Sequence, residues 1–209
     1  MLSVSRLSAA RADRPLFTDL SFALNAGQCL HLRGANGAGK TSLLKMLAGL
    51  STAQDGEITW QGKALAAWGD DYYKALHYLG HKDGLKDLLS PLANLRLTAE
   101  LSGQALSEAS ALKTLTQVGL TRQSELAVRT LSQGQKKRAA LARLLAISRP
   151  LWLLDEPFVA LDQAAQNQLG EWIAQHTRSG GMVILTSHQA LPDAIQNIIE
   201  LNLSQGGAA

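Results

Sequence analysis

Two short stretches of this chain are apolar without a break, Leu151-Trp152-Leu153-Leu154 and Met182-Val183-Ile184-Leu185. Runs of that length, bounded by Pro150 and Gly181 on one side and polar residues on the other, predict strands buried on both faces. Residues 28–33 predict a third strand. Helical spacing follows or separates these runs at residues 41–48, where Gly49 is a stop signal, and at 132–147 and 163–177. Buried strands alternating with helices predict a parallel α/β sheet. The first part of the chain is patterned differently. Residues 2–7 alternate, 20–24 form a second candidate strand, and Asn25-Ala26-Gly27 marks a turn. Gln54-Asp55-Gly56 predicts another turn, 57–60 a short strand, Gln61-Gly62 a further turn, and the segment around His77-Tyr78-Leu79-Gly80 one more strand. From about residue 82 to 130 the β signal fades. Residues 91–101 and 108–118 predict helices. In the second, Leu112, Leu115 and Val118, with Ala111, share one face, and Ser107 is its expected N-cap. The expected organisation is one domain: an α/β core from residues 1–81 and 131–203, a helical insert from about 82 to 130, and a disordered tail at 204–209.

Composition narrows the class. The chain has 209 residues, 46% of them hydrophobic, enough for one sizeable core. Its net charge is only +3, from 20 basic and 17 acidic residues, which gives no electrostatic case for nucleic acid. Lys136-Lys137-Arg138 and Arg143 are basic, but they lack aromatic stacking partners nearby and are expected to form a solvated helix face. The single cysteine, Cys29, excludes an internal disulfide and is expected in the core. The N-terminus lacks the apolar stretch of a signal peptide, and no segment approaches the ~20 apolar residues of a membrane span. Membrane contact is therefore expected only through partners.

The chemistry starts at Gly34-Ala35-Asn36-Gly37-Ala38-Gly39-Lys40-Thr41, which matches G-x-x-x-x-G-K-[ST] at every fixed position. The glycines let backbone N–H groups converge on phosphates, Lys40 adds a mobile positive charge, and the Thr41 hydroxyl can ligate Mg²⁺. A predicted strand enters the loop. A predicted helix beginning with Thr41 and Ser42 leaves it, its dipole aimed at the anion. The strand at 151–154 ends in Asp155-Glu156, at the kind of strand end where an open α/β sheet holds its ligand. Asp155 is expected to hold the metal and Glu156 to activate water as general base. Leu131-Ser132-Gln133-Gly134-Gln135 opens a predicted helix, so a hydroxyl and free N–H groups face any incoming anion.

In this order, with Ala160-Leu161-Asp162 and His188 following, these motifs resemble the ATP-binding cassette (ABC) ATPases, over most of the chain. The resemblance implies a P-loop NTPase core of ABC type, with an antiparallel β part at its N-terminus and a helical subdomain. It implies ATP and Mg²⁺ as ligands. It further implies a head-to-tail homodimer in which Ser132, Gly134 and Gln135 of one subunit reach the γ-phosphate held by Lys40 of the other. Asp162 would lie at the dimer contact, or cap the helix that follows it, and His188 would sense the γ-phosphate. Two positions depart from the family pattern. Where a glutamine usually contacts metal and water, the spacing lands on His81, a side chain able to do either when neutral. Residues 9–13, where an adenine-stacking aromatic is usual, have none, leaving Arg11 or Phe17 as substitutes.

Within the family, Tyr78-Leu79-Gly80-His81, Trp60-Gln61-Gly62 and the segment from Arg149 to Phe158 are similar to the branch that powers haem handling in bacterial cytochrome c maturation. That similarity implies membrane-spanning ABC subunits as partners and a peripheral place on the cytoplasmic face of the inner membrane. The alternatives are an ABC ATPase subunit for another substrate, a soluble ABC ATPase acting on DNA or ribosomes, and a small-molecule kinase. The last would leave Ser132, Gly134 and His188 without a role. His77 and His81, four residues apart in a predicted strand and loop, are not expected to ligate haem.

Overall fold

The computed structural model describes residues 1–11 and 14–203. Ala12 and Asp13, within the stretch expected to face adenine, and the tail at 204–209 lie outside the described residues.

The chain opens with β1 (Leu2–Arg11) and β2 (Arg14–Leu24), an antiparallel pair. Both run well beyond the expected strands. The reason is a change of phase: Leu2 and Val4 are buried, Ser5 and Arg6 are both exposed, and burial resumes at Leu7 and Ala9. The register shifts there and Arg6 takes a φ of 49°, a β-bulge that moves the apolar positions from even to odd numbers. Next come β3 (Cys29–Arg33), α1 (Lys40–Leu47), β4 (Asp55–Trp60) and β5 (Lys63–Ala64). Asp55 and Gly56, expected in a turn, instead begin β4. Gly56 has φ +89° and lies against the backbone of Arg6, so the bulge in β1 is matched by a residue without a Cβ. The four strands form one antiparallel sheet in the order β2-β1-β4-β5.

Then follow α2 (Asp70–Tyr73), β6 (Leu76–Leu79), α3 (Pro91–Leu101), α4 (Glu108–Gln117), α5 (Gln133–Ala146), β7 (Leu151–Leu154), α6 (Gln163–Arg178), β8 (Met182–Thr186) and β9 (Ile198–Asn202). Five strands make a parallel sheet in the order β6-β7-β8-β3-β9. Every residue of β7 and β8 is buried, as their unbroken apolar sequence requires in the middle of a sheet covered on both faces.

Three apolar clusters hold these parts together. Leu43, Leu44 and Leu47 of α1 pack with Leu2, Leu7 and Trp60 of the antiparallel sheet. On the other face of the parallel sheet, Leu141 and Leu144 of α5 pack with Leu169 and Ile173 of α6 over Trp152 and Val183. Ala139 and Ala142, also on α5, join Leu92, Leu95, Ala111 and Leu115 of α3 and α4. Thus α5 belongs to two cores at once, and emptying Leu141 to alanine should cost ~2–5 kcal/mol. Two of its basic residues, Lys137 and Arg143, do not lie on a solvated face. Lys137 is 6% exposed and 3.7 Å from Asp83, and Arg143 donates to the Tyr78 carbonyl at 2.7 Å. Burial lowers the pKa of both, and the charge of Asp83 opposes that shift. The signal was present in the spacing: positions 137, 140, 141 and 144 fall on one helical stripe.

Candidate functional site

The parallel sheet brings four loops to one edge. Leaving the C-terminal ends of adjacent strands are residues 34–39 after β3, Gly80-His81 after β6, Asp155-Glu156 after β7 and Ser187-His188 after β8. Register keeps the ends level, with Leu79 opposite Leu154, Leu154 opposite Leu185 and Leu32 opposite Thr186. This edge is where such sheets bind ligands.

A cleft of about 430 Å³ opens there. Asn36, Gly37, Gly39, Lys40, Thr41 and Ser42 line it together with His81, Asp155, Glu156 and His188. Ten of the site residues expected from sequence are thus brought together. The remaining loop positions shape it from behind. Lys40 Nζ donates to the carbonyls of Gly34 at 2.7 Å and Ala35 at 3.2 Å, and the Ala38 N–H donates to Ala35 at 3.1 Å. Gly39 adopts φ +100°, and a Cβ on it would press on Leu16 at 3.0 Å, so the loop closes only with glycine there. A Cβ on Gly37 would meet nothing within 4 Å, because that residue faces open space where a phosphate could approach the backbone.

Across the cleft the carboxylates differ in their surroundings. Asp155 is 4% exposed; its Oδ2 accepts from the Thr41 hydroxyl at 2.8 Å and its Oδ1 from the Thr186 hydroxyl at 2.9 Å. Thr41 and Asp155 offer oxygen donors only, the set a hard divalent cation prefers. Among the described residues no cluster of three or more His, Cys, Asp or Glu could hold a metal unaided. A cation at this pair would share its ligands with phosphate and water, the usual arrangement for Mg²⁺. Glu156 Oε1 is buried with no hydrogen-bond partner among the described residues, and His188 Nε2 stands 3.5 Å from it, an ion-pair distance without hydrogen-bond alignment. An acceptor buried beside a polar cleft and left unpaired is suited to take a bond from a water inside it.

The base side has a different character. Arg11, Arg14 and Leu16 line the cleft there. Phe17 is 5% exposed and locked into the core beside Gly39, so it does not turn toward a nucleobase. Arg11, and beside it Arg14, carry the planar guanidinium groups able to stack on one.

Ser132, Gly134 and Gln135 do not line this cleft. They form the start of α5, where the Ser132 hydroxyl accepts from the Gln135 N–H at 3.3 Å and the Gln135 side chain accepts from the Ser132 N–H at 2.9 Å. This capping box fixes the helix end, while Ser132 stays exposed. Gly134 lies so close to the Ala160 backbone that a Cβ would come within 2.9 Å of its carbonyl. Asp162 caps α6 through the Ala165 N–H at 2.8 Å and pairs with Arg138 at 2.6 Å. His77 is buried, and its Nε2 donates to the Ile147 carbonyl at 2.8 Å. Burial holds its pKa down at about 4. Sequence reasoning passed over Thr186. Its only signal was a hydroxyl closing an otherwise apolar strand two residues before His188.

Comparison with known proteins places these features together. Residues 17–159 match the family described as ABC transporter. The chain is 49% identical to the Cytochrome c biogenesis ATP-binding export protein CcmA of Dechloromonas aromatica (strain RCB), over 97% of this chain and 100% of that protein. It is 44% identical to the protein of the same name from Escherichia coli (strain UTI89 / UPEC), over 100% and 99%. The fold matches a dimeric, post-hydrolysis ATP-binding cassette bound to ADP and Pi, with a TM-score of 0.84 at 22% identity, covering 99% of this chain and 96% of that one.

Proposed function

This chain belongs to the ABC transporter ATP-binding family and is an ATPase of that family; from this premise we propose that it drives haem handling in bacterial cytochrome c biogenesis. The observation that carries the catalytic part is the convergence of Lys40, Thr41, Asp155 and Glu156 on one cleft from the ends of adjacent strands. The name shared by relatives that align over the whole chain supports the biological setting.

Lys40 exchanges its two carbonyl partners for phosphate oxygens, while the N–H groups of residues 36–41 surround the β-phosphate. Thr41 and Asp155 would hold Mg²⁺, which when bound neutralises charge on the phosphate oxygens. Glu156 orients a water and takes its proton through the buried Oε1 as that water attacks the terminal phosphorus. His188 lies beside that oxygen and donates to the terminal phosphate. His81, which also lines the cleft, would bond the water or the metal.

An ATP-binding subunit of a transporter works with membrane-spanning subunits and in paired cassettes. The finer arrangement is our reading. Two copies meet head to tail, and Ser132 and Gly134 of one complete the phosphate site of the other. The pair sits on the cytoplasmic face of the inner membrane, attached through its membrane subunits; no helix among the described residues is long and apolar enough to cross it.

Glu156→Gln tests the whole proposal. The amide keeps the shape and cannot accept a proton, so ATP should bind while hydrolysis stops, and the protein should accumulate as an ATP-bound dimer on light scattering. In a strain lacking the native gene, wild type should restore haem-stained c-type cytochromes and Glu156→Gln should not. Normal turnover by the variant would refute the catalytic assignment, and full c-type cytochrome content without the gene would refute the setting.

A further inference from the structure

We infer that Thr186 is a positioning residue for hydrolysis, one hydroxyl that sets both adjacent carboxylate residues; this rests on the function proposed above. Thr186 ends β8, is fully buried, and follows four apolar residues. Its Oγ1 accepts from the Glu156 N–H at 2.8 Å. Having accepted there, the hydroxyl has its own proton to give, and it donates to Asp155 Oδ1 at 2.9 Å. The bonds therefore run in a single direction, from the amide of Glu156 through Thr186 to the carboxylate of Asp155.

Each bond has a separate consequence. Asp155 is held at both oxygens, by Thr41 at the start of α1 and by Thr186 at the end of β8, so its carboxylate plane is fixed by two elements other than its own strand. Glu156 has φ 48°, a left-handed conformation that costs a non-glycine residue about 1 kcal/mol or more. That conformation turns its side chain into the cleft, and the hydroxyl on its N–H is the bond that holds it. Without the hydroxyl, a buried N–H and a carboxylate oxygen both lose their partner, and the backbone at 156 is free to relax.

A purely structural threonine would be replaceable in function by anything that preserves the fold. The distinction is measurable. Thr186→Val keeps the shape and deletes the hydroxyl. Its kcat for ATP should fall on the order of 10–100-fold, the loss of hydrogen bonds to charged or reacting groups. ATP affinity measured without Mg²⁺ should stay near wild type, because the phosphate loop is untouched. Hydrogen exchange of the Glu156 amide in the nucleotide-free protein should speed up about tenfold or more, as expected for a lost hydrogen bond. Thr186→Ser should restore both turnover and exchange protection. Should the valine variant fail to fold, Thr186→Cys takes its place with the same expectations, its thiol being a poor donor and acceptor. Turnover by the valine variant within twofold of wild type would overturn the inference. So would a serine variant as impaired as valine, or a loss of Mg²⁺-free affinity equal to the loss of kcat. Glu156→Gln separates the two levels. If it is dead while Thr186→Val is fully active, only the role of Thr186 falls; if it is active, the reading of the cleft falls.

Discussion

The cleft and the start of α5 differ in what holds their polar groups in place. In the cleft, functional groups are held by residues from distant parts of the sequence: Lys40 by its loop carbonyls, Asp155 by Thr41 and Thr186, Glu156 by Thr186. At α5, Ser132 and Gln135 satisfy only each other, and Ser132 faces outward. The first arrangement can engage a nucleotide alone. The second offers a capped helix end, which in the proposed head-to-tail pairing acts only on the other copy.

The largest test of that contrast is Lys40→Ala. Removing the mobile cation should weaken ATP affinity ~100-fold or more, at 1.5–3 kcal/mol for each charged hydrogen bond lost. Titration of the isolated chain measures it, and near-normal affinity would break the assignment of the cleft as self-sufficient.

Ser132→Asn addresses the other region. Asparagine caps a helix as well as serine does, so stability should change by only a few tenths of a kcal/mol. ATP binding by the isolated chain should be unaltered, while steady-state hydrolysis drops ~10-fold, a figure for one lost hydroxyl contact to a charged group. Unchanged hydrolysis would reduce Ser132 to a cap.

His77 sharpens the comparison through the far end of the same helix, where it bonds the Ile147 carbonyl. Its folded pKa, near 4, lies below the ordinary value of 6.5, so the unfolded chain binds the proton more readily. The stabilisation is complete above about pH 6.5 and is lost as pH falls toward 4, up to about 3 kcal/mol. Denaturant unfolding of wild type and His77→Gln should show a shallower acid slope for the variant, and equal slopes would contradict this.

His81 carries the smallest effect. His81→Ala should lose several-fold in ATPase activity and His81→Gln less, because an amide also bonds water. Equal turnover by wild type and both variants would remove His81 from the site.

These contrasts also show what could be read before the structure. The bounds of α3, β7 and β8 follow from local rules: a serine followed by proline starts the helix, and unbroken apolar runs make central strands. The phosphate loop and Asp155-Glu156 were visible because their spacing is local. The length of β1 and β2 was hidden by bulges at Arg6 and Asp19, which break the alternation a strand is recognised by. Lys137 looked solvated because charge was weighed above position on the stripe, and Arg143 because its partner, the Tyr78 carbonyl, is 65 positions away. Thr186 could not be picked out, since its role depends on residues 30 and 31 positions away that only folding brings to it.

One feature of α5 has a mechanical meaning. Along its length the helix is fastened to the β6 side of the core, by Lys137 to Asp83, by Arg143 to the Tyr78 carbonyl, and just past its end by His77 to Ile147. A 14-residue helix is ~21 Å long, so pivoting by ~10° about its far end would sweep Ser132 through ~4 Å. A helix so pivoted would act as a lever with displacement gain rather than as a spring. A small rotation of the segment beside His81 would then become a movement as large as a phosphate group at the tip. Fluorophore pairs from the exposed Lys45 of α1 to Ser132 and from Lys45 to the exposed Ser148 would then read a large change for the first and a small one for the second.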